Sequence, residues 1–166
     1  MQMKLLVAAG VVSLAAAALV AAPALGEERT CRGTIGARTV DNLRVPKGAT
    51  CTLRGTRVKG TVKVGRAATL YAVRIRVVGN VQAEGTKRVN VGSSRVGGSI
   101  QVVQGRHSTV RSNRVVGDIQ YFSNRGRIVV SRNRVNGNLQ CKSNRPRPVG
   151  GGNIVQGNKE DQCARL

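Results

Sequence analysis

Residues 115–121 read VVGDIQY, and residues 135–141 read VNGNLQC. Related text stands at 58–64 (VKGTVKV), 77–83 (VVGNVQA) and 96–102 (VGGSIQV), and fades at 155–161 (VQGNKED). The central glycine therefore returns every 19 or 20 residues, at Gly60, Gly79, Gly98, Gly117, Gly137 and Gly157. A fixed period near 20 marks a solenoid, in which each repeat is one unit stacked on the next.

Counting outward from that glycine as position zero gives the faces. Position −2 is Val58, Val77, Val96, Val115, Val135 and Val155. Position +2 is Val62, Val81, Ile100, Ile119 and Leu139, and +4 is Val64, Ala83, Val102, Tyr121 and Cys141. Positions −9 and −7 form a third alternating pair, as in Leu70 with Ala72, Ser108 with Val110 and Ile128 with Val130. Apolar residues at steps of two mean strands with one buried face. Each repeat thus carries three short strands. The expected fold is an all-β, single-chain, right-handed parallel β-helix, the hand following from the general handedness of parallel crossovers. A leucine-rich repeat shares the period, but its Leu-x-x-Leu-x-Leu text is missing. A weaker repeat centred on Asp41, with Leu43 and Val45 at +2 and +4, brings the total to about seven rungs. At about 4.8 Å between strands the stack stands about 30–35 Å tall. Trp is absent and Phe122 is the only Phe, so the core is aliphatic.

The leader reads differently. Met1–Lys4 is a short basic start, residues 5–22 are apolar, and Pro23-Ala24-Leu25-Gly26 supplies small residues before Glu27. Residues 1–26 are expected to be a secretory signal peptide rather than a membrane anchor, leaving 27–166 as the β-helix domain. Export leads to an oxidising compartment, so the four cysteines are expected to pair. Cys31 precedes Cys51 by one period, which places the two in one column of neighbouring rungs. Cys141 and Cys163 lie near the other end. The expected bridges are Cys31–Cys51 and Cys141–Cys163, closing the open ends of the stack. Zinc is disfavoured: no CxxC pair occurs and His107 is the only histidine.

The outward columns are polar and basic. The chain carries a formal charge of +21, with Lys and Arg totalling 28 against 7 acids. Without Lys4 the charge is +20 (21 minus 1). Such a balance points to anionic partners, although a coding bias toward Arg, Ala, Gly and Val also favours it. Position −3 is Arg57, Arg76, Arg95, Arg114 and Arg134, which stacks five arginines in one outward file. Like charges about 5 Å apart repel by about 0.8 kcal/mol in water. A linear polyanion would offset that repulsion, and a solvated face would tolerate it through screening. Position +3 is Lys63, Gln82, Gln101, Gln120 and Gln140, and −4 includes Asn113, Asn133 and Asn153. Stacked amides bond to one another, so both are read as structural ladders. A secondary basic patch of loop residues comprises Lys87, Arg88, Arg106, Arg125, Arg127, Arg145 and Arg147, with His107 as an exposed neighbour.

Catalysis finds little footing. Lyases on parallel β-helices gather carboxylates around Ca²⁺ and use a basic residue to take a proton. Of Glu27, Glu28, Asp41, Glu84, Asp118, Glu160 and Asp161, the internal acids fall in different columns or distant rungs, and Glu160 and Asp161 are consecutive near the end. No GxSxG, HExxH, P-loop or Ca²⁺-binding GGxGxD text occurs. Gly150-Gly151-Gly152 reads as a loop. Nucleic-acid binding would lack stacking residues, since Tyr71, Tyr121 and Phe122 are the only aromatics. It would be backbone-directed and non-specific.

The text GATCTL at 48–53, the Val-x-Gly-x-Val turns, GNLQC at 137–141 and GNKEDQC at 157–163 resemble those of small secreted actinobacterial proteins with a pectate-lyase-like, right-handed parallel β-helix repeat. The resemblance spans nearly the whole expected mature chain. It implies a secreted β-helix and implies no activity. The expected function is a non-catalytic structural or cell-envelope protein without cofactor or metal. The alternative is a polyanion-binding module for acidic polysaccharide, wall polymer or a nucleic-acid backbone, using the Arg file. A polysaccharide lyase is a more remote third reading. Oligomeric state stays open.

Overall fold

The computed structural model describes residues 26–166, so the expected signal peptide lies almost wholly outside the described residues. The described chain is a parallel β-solenoid built from three sheets of eight, seven and seven strands. Seven rungs each contribute one strand to every sheet, and Glu28–Thr30 adds an eighth strand to the first. Among the described residues there is no helix.

One rung shows the plan. Arg88–Gly92 lies in sheet B, Arg95–Val96 in sheet C and Ile100–Val103 in sheet A. The chain then turns back into sheet B at His107–Arg111. All pairings are parallel, and they match residues of like repeat position. Val77, Val96 and Val115 stack in sheet C, while Val81, Ile100 and Ile119 stack in sheet A. The weak repeat at Asp41 is a true rung, because Leu43 and Val45 pair with Val62 and Val64.

The core follows from the alternation. Val58, Val81, Val110, Ile119 and Leu139 are fully enclosed, and one continuous cluster runs up the axis. Its largest member is Tyr121, whose hydroxyl lies 3.0 Å from Ser108 Oγ. Ser108 donates in turn to the Val89 carbonyl at 3.0 Å. The small serine occupies a column that holds Leu70, Val89 and Ile128 in other rungs, and so makes room for the ring.

The repeat glycine has a steric cause. None of Gly60, Gly79, Gly98, Gly117, Gly137 and Gly157 adopts a positive φ. Instead, from Gly79 upward, each packs on the carbonyl of the repeat glycine one rung below, where a Cβ would collide with backbone. The left-handed positions lie elsewhere, chiefly in two columns: at +6, in Gly85, Gln104, Ser123 and Ser143, and at −5, in Gly55, Arg74, Ser93, Ser112, Arg132 and Gly152, all with φ between 50° and 68°. The −5 column turns the chain from sheet B into sheet C. The amide of each of Arg74, Ser93, Ser112 and Arg132 donates to the carbonyl at −6 in the next rung.

Both expected disulfides are present, with Cα–Cα distances of 5.6 Å for Cys31–Cys51 and 5.3 Å for Cys141–Cys163. The expectation that Cys31 and Cys51 share a column is corrected. Thr30 pairs with Arg44 and the Cys31 amide donates to the Arg44 carbonyl, so Cys31 stacks over Val45 in the +4 file of sheet A. Cys51 stands in sheet B beside Leu70. The bridge therefore crosses the interior between two sheets. The separation of 20 residues matches the repeat length without reflecting it, because the first coil is shortened between Cys31 and Thr34.

Candidate functional site

Sheet C has strands of two residues, the inward valine at −2 and the arginine at −3. With the valine committed to the core, the arginine must face solvent. Arg57, Arg76, Arg95, Arg114 and Arg134 pair directly in sequence order, and all five are exposed. Thr39 ends the file on one side and Ile154 on the other.

The file borders a shallow groove of about 460 Å³ at the corner between sheets B and C. Arg95, Arg114 and Arg134 line it with Ser93, Ser112 and Arg132. The last three belong to the left-handed −5 column, which sequence reasoning did not single out. Its signal is the run of small or polar residues one place before the −4 column. The groove floor has no donors to spare. Ser94 Oγ donates to the Gly92 carbonyl at 2.7 Å, and Asn113 Nδ2 donates to the Val91 carbonyl at 2.9 Å. The available donors are the guanidinium groups and the two exposed serines.

The amide columns are structural, as expected. Asn113 Nδ2 reaches Asn133 Oδ1, and Asn133 Nδ2 reaches Asn153 Oδ1, each at 3.0 Å. Gln101, Gln120 and Gln140 donate up the outer face of sheet A at 2.6, 2.7 and 2.8 Å, ending on the Glu160 carboxylate. Two further ladders were missed. At +1, side-chain oxygens of Asn42, Thr61, Asn80, Ser99, Asp118 and Asn138 each accept the backbone N–H of the same position one rung on. At the corner from sheet A to sheet B, Asn124 donates to Asn144, whose amide reaches Gln162. The signal for the first was a column drawn only from Asn, Thr, Ser and Asp.

The secondary basic patch is more regular than a set of loop tips. The amides of Arg106, Arg125 and Arg145 donate to the carbonyls of Thr86, Gly105 and Asn124 at 2.8–2.9 Å. A parallel bridge links Arg125 with Arg145. Lys87, Arg106, Arg125 and Arg145 thus form a second file, one cation per rung. Arg88 pairs with His107 in the adjoining column, and Arg127 and Arg147 follow in the next rungs. All eight side chains are exposed.

Most acids are scattered, but, against expectation, Glu27 stands beside Asp41 in the neighbouring rung, and both line one small cleft with Arg29 and Lys59. Among the described residues the ion pairs are Arg44–Glu28 at 3.8 Å and Lys59–Asp41 at 3.0 Å, and neither involves either file. Glu28 and Glu84 line one open cleft of about 730 Å³ on sheet A, together with Arg44, Lys63 and Arg66. Their strands are three steps apart in the sheet, which at about 4.8 Å per step separates the two backbones by about 14 Å. Tyr71, half-exposed, borders a smaller groove on sheet B with Asn90, Arg54 and Arg111. Comparison with known protein families, with curated proteins and with solved structures returns no match.

Proposed function

We propose that the chain is an exported, non-catalytic solenoid of the cell envelope or extracellular space, and that its Arg file holds linear acidic polymers by charge. The observation that carries this is the file itself: five exposed guanidinium groups in register, one per rung, with no carboxylate among the described residues paired to them. Neighbouring charges at that spacing oppose one another by about 0.8 kcal/mol in water. A polymer bearing one anionic group per repeat turns that cost into attraction, and planar guanidinium groups suit carboxylate, sulfate and phosphate alike. Export is supported by the leader and by two disulfides at the two ends of the stack.

The test is retention on immobilised heparin, with elution followed against salt. The mature protein is expected to be retained at low salt and released as salt rises. Changing Arg76, Arg95 and Arg114 together to Gln is expected to weaken retention and to flatten the dependence on log salt, by somewhat under one unit per lost contact. Unchanged affinity and slope would leave the file a solvated face. Unsaturated ends released from pectate would establish a lyase instead.

A further inference from the structure

We infer that the molecule is bivalent: it presents two cationic combs on opposite sides of the solenoid and cross-links two linear polyanion chains. The inference rests on the proposed reading of the Arg file as a polyanion surface.

The path of the chain places the combs. Every rung runs from sheet B to sheet C to sheet A and back to sheet B. A three-sided coil has three corners, and only the one between sheets A and B does not border sheet C. The first comb is the outer face of sheet C. The second, Lys87, Arg106, Arg125 and Arg145, stands at the A-to-B corner, across the core from it.

The second comb has the rigidity of the first. Directly beneath it, Asn124 and Asn144 are buried and bonded to the Val102 and Tyr121 carbonyls at 2.9 Å. The backbone positions that carry the cations are therefore fixed at the rung spacing. A linear polymer meeting either comb meets a prearranged row, which reduces the ordering cost of binding.

The combs are also separated by neutral files. On sheet A that file is Gln82, Gln101, Gln120 and Gln140, with Lys63 one rung beyond. On sheet B it is the single file Tyr71, Asn90, Thr109 and Val129, flanked by Arg88 and Arg127 toward the second comb and by Arg54 and Arg111 toward the first. One chain following a single comb along the stack does not reach the other without crossing a neutral file. A molecule with two such rows gains avidity for bundled polymer and joins separate strands.

The experiment uses heparin on beads, heparin carrying a fluorophore in solution, and the mature protein at a concentration where light scattering gives a monomer. Wild type is expected to bind the beads and then to recruit labelled heparin to them. Gln at Arg76, Arg95 and Arg114, or at Arg106, Arg125 and Arg145, is expected to leave bead binding within about tenfold of wild type and to abolish recruitment. Lys at the same positions is expected to restore it, since the combs act through charge. Single changes, Arg95→Gln or Arg125→Gln, show the same direction with a smaller loss should a triple variant fail to fold. Recruitment undiminished in either triple variant would overturn bivalency, as would binding by wild type without recruitment. Wild type that fails to bind the beads at all would overturn the polyanion reading itself.

Discussion

Tyr121 shows how one residue can couple this core to pH. It is the largest side chain in a stack of aliphatic residues, and it is fully buried with a single hydroxyl partner, Ser108. Burial raises its pKa well above the ordinary phenol value of about 10, and the Ser108 hydrogen bond offsets this only in part. The unfolded chain would ionise this tyrosine above about pH 10, while the folded chain holds it neutral. The folded state then binds more protons than the unfolded state, so stability falls as pH rises. The contribution is fully present below about pH 10 and declines above it, by about 1.4 kcal/mol per pH unit. Urea midpoints measured from pH 8 to 11 are expected to show this fall for wild type. Tyr121→Phe is expected to start about 1 kcal/mol less stable and to lose that part of the slope. An identical slope in the variant would show that other groups govern the alkaline limb.

At the scale of the strand and the ladder, buried polar groups separate into satisfied and orphaned. Asn133 accepts from the Asn113 amide and side chain at 3.0 Å, and donates to the Val110 carbonyl at 2.9 Å. Thr86 occupies the corner ladder that Asn124 and Asn144 continue, but Gly105 interrupts it, and the Thr86 hydroxyl has no partner. Asn133→Leu is therefore expected to cost about 3 kcal/mol or more, since it orphans several buried groups at once. Thr86→Val removes an unsatisfied hydroxyl at nearly constant shape and is expected to be neutral or stabilising by up to about 1 kcal/mol. Thermal midpoints of the two variants test this, and a large loss on Thr86→Val would reveal a partner for that hydroxyl. The same scale explains what could be read in advance. Strand faces were legible at −2, +2 and +4 because alternation reports burial directly. The Arg file followed, since −3 adjoins −2. The +1 ladder stayed hidden because its bonds join side chains to backbone, and its residues vary among Asn, Thr, Ser and Asp. The second comb stayed hidden although Lys87, Arg106, Arg125 and Arg145 all stand at +8, because no apolar alternation marks that corner as ordered and its cations read as loop tips. The misplaced Cys31 column has a different origin, the shortened first coil. A spacing of one period implies one column only where the coil keeps its full length.

At the scale of the molecule, a solenoid is held by contacts between neighbouring rungs, so its weak points are its ends. Both disulfides sit there. Cys31–Cys51 ties the first strand of sheet A into the sheet B strand two along in that direction, and Cys141–Cys163 folds the final turn back over the last complete rung. Leu166 packs against the core beside Cys163 and completes that cap. Each bridge closes a loop of about 20 residues, worth about 3 kcal/mol through the entropy of the unfolded chain. In a stack with nearest-neighbour coupling, such a loss is felt first by the rung that suffers it. Replacing Cys141 and Cys163 with Ala is expected to lower global stability by about 3 kcal/mol. It is also expected to remove amide-exchange protection from residues 149–161 while leaving 81–103 protected. Replacing Cys31 and Cys51 is expected to expose 28–45 and to spare the far end. Exchange followed by mass spectrometry distinguishes this from uniform loss along the chain. Uniform loss would mean that the seven rungs open as one unit, and that the bridges act on the whole fold rather than on its ends.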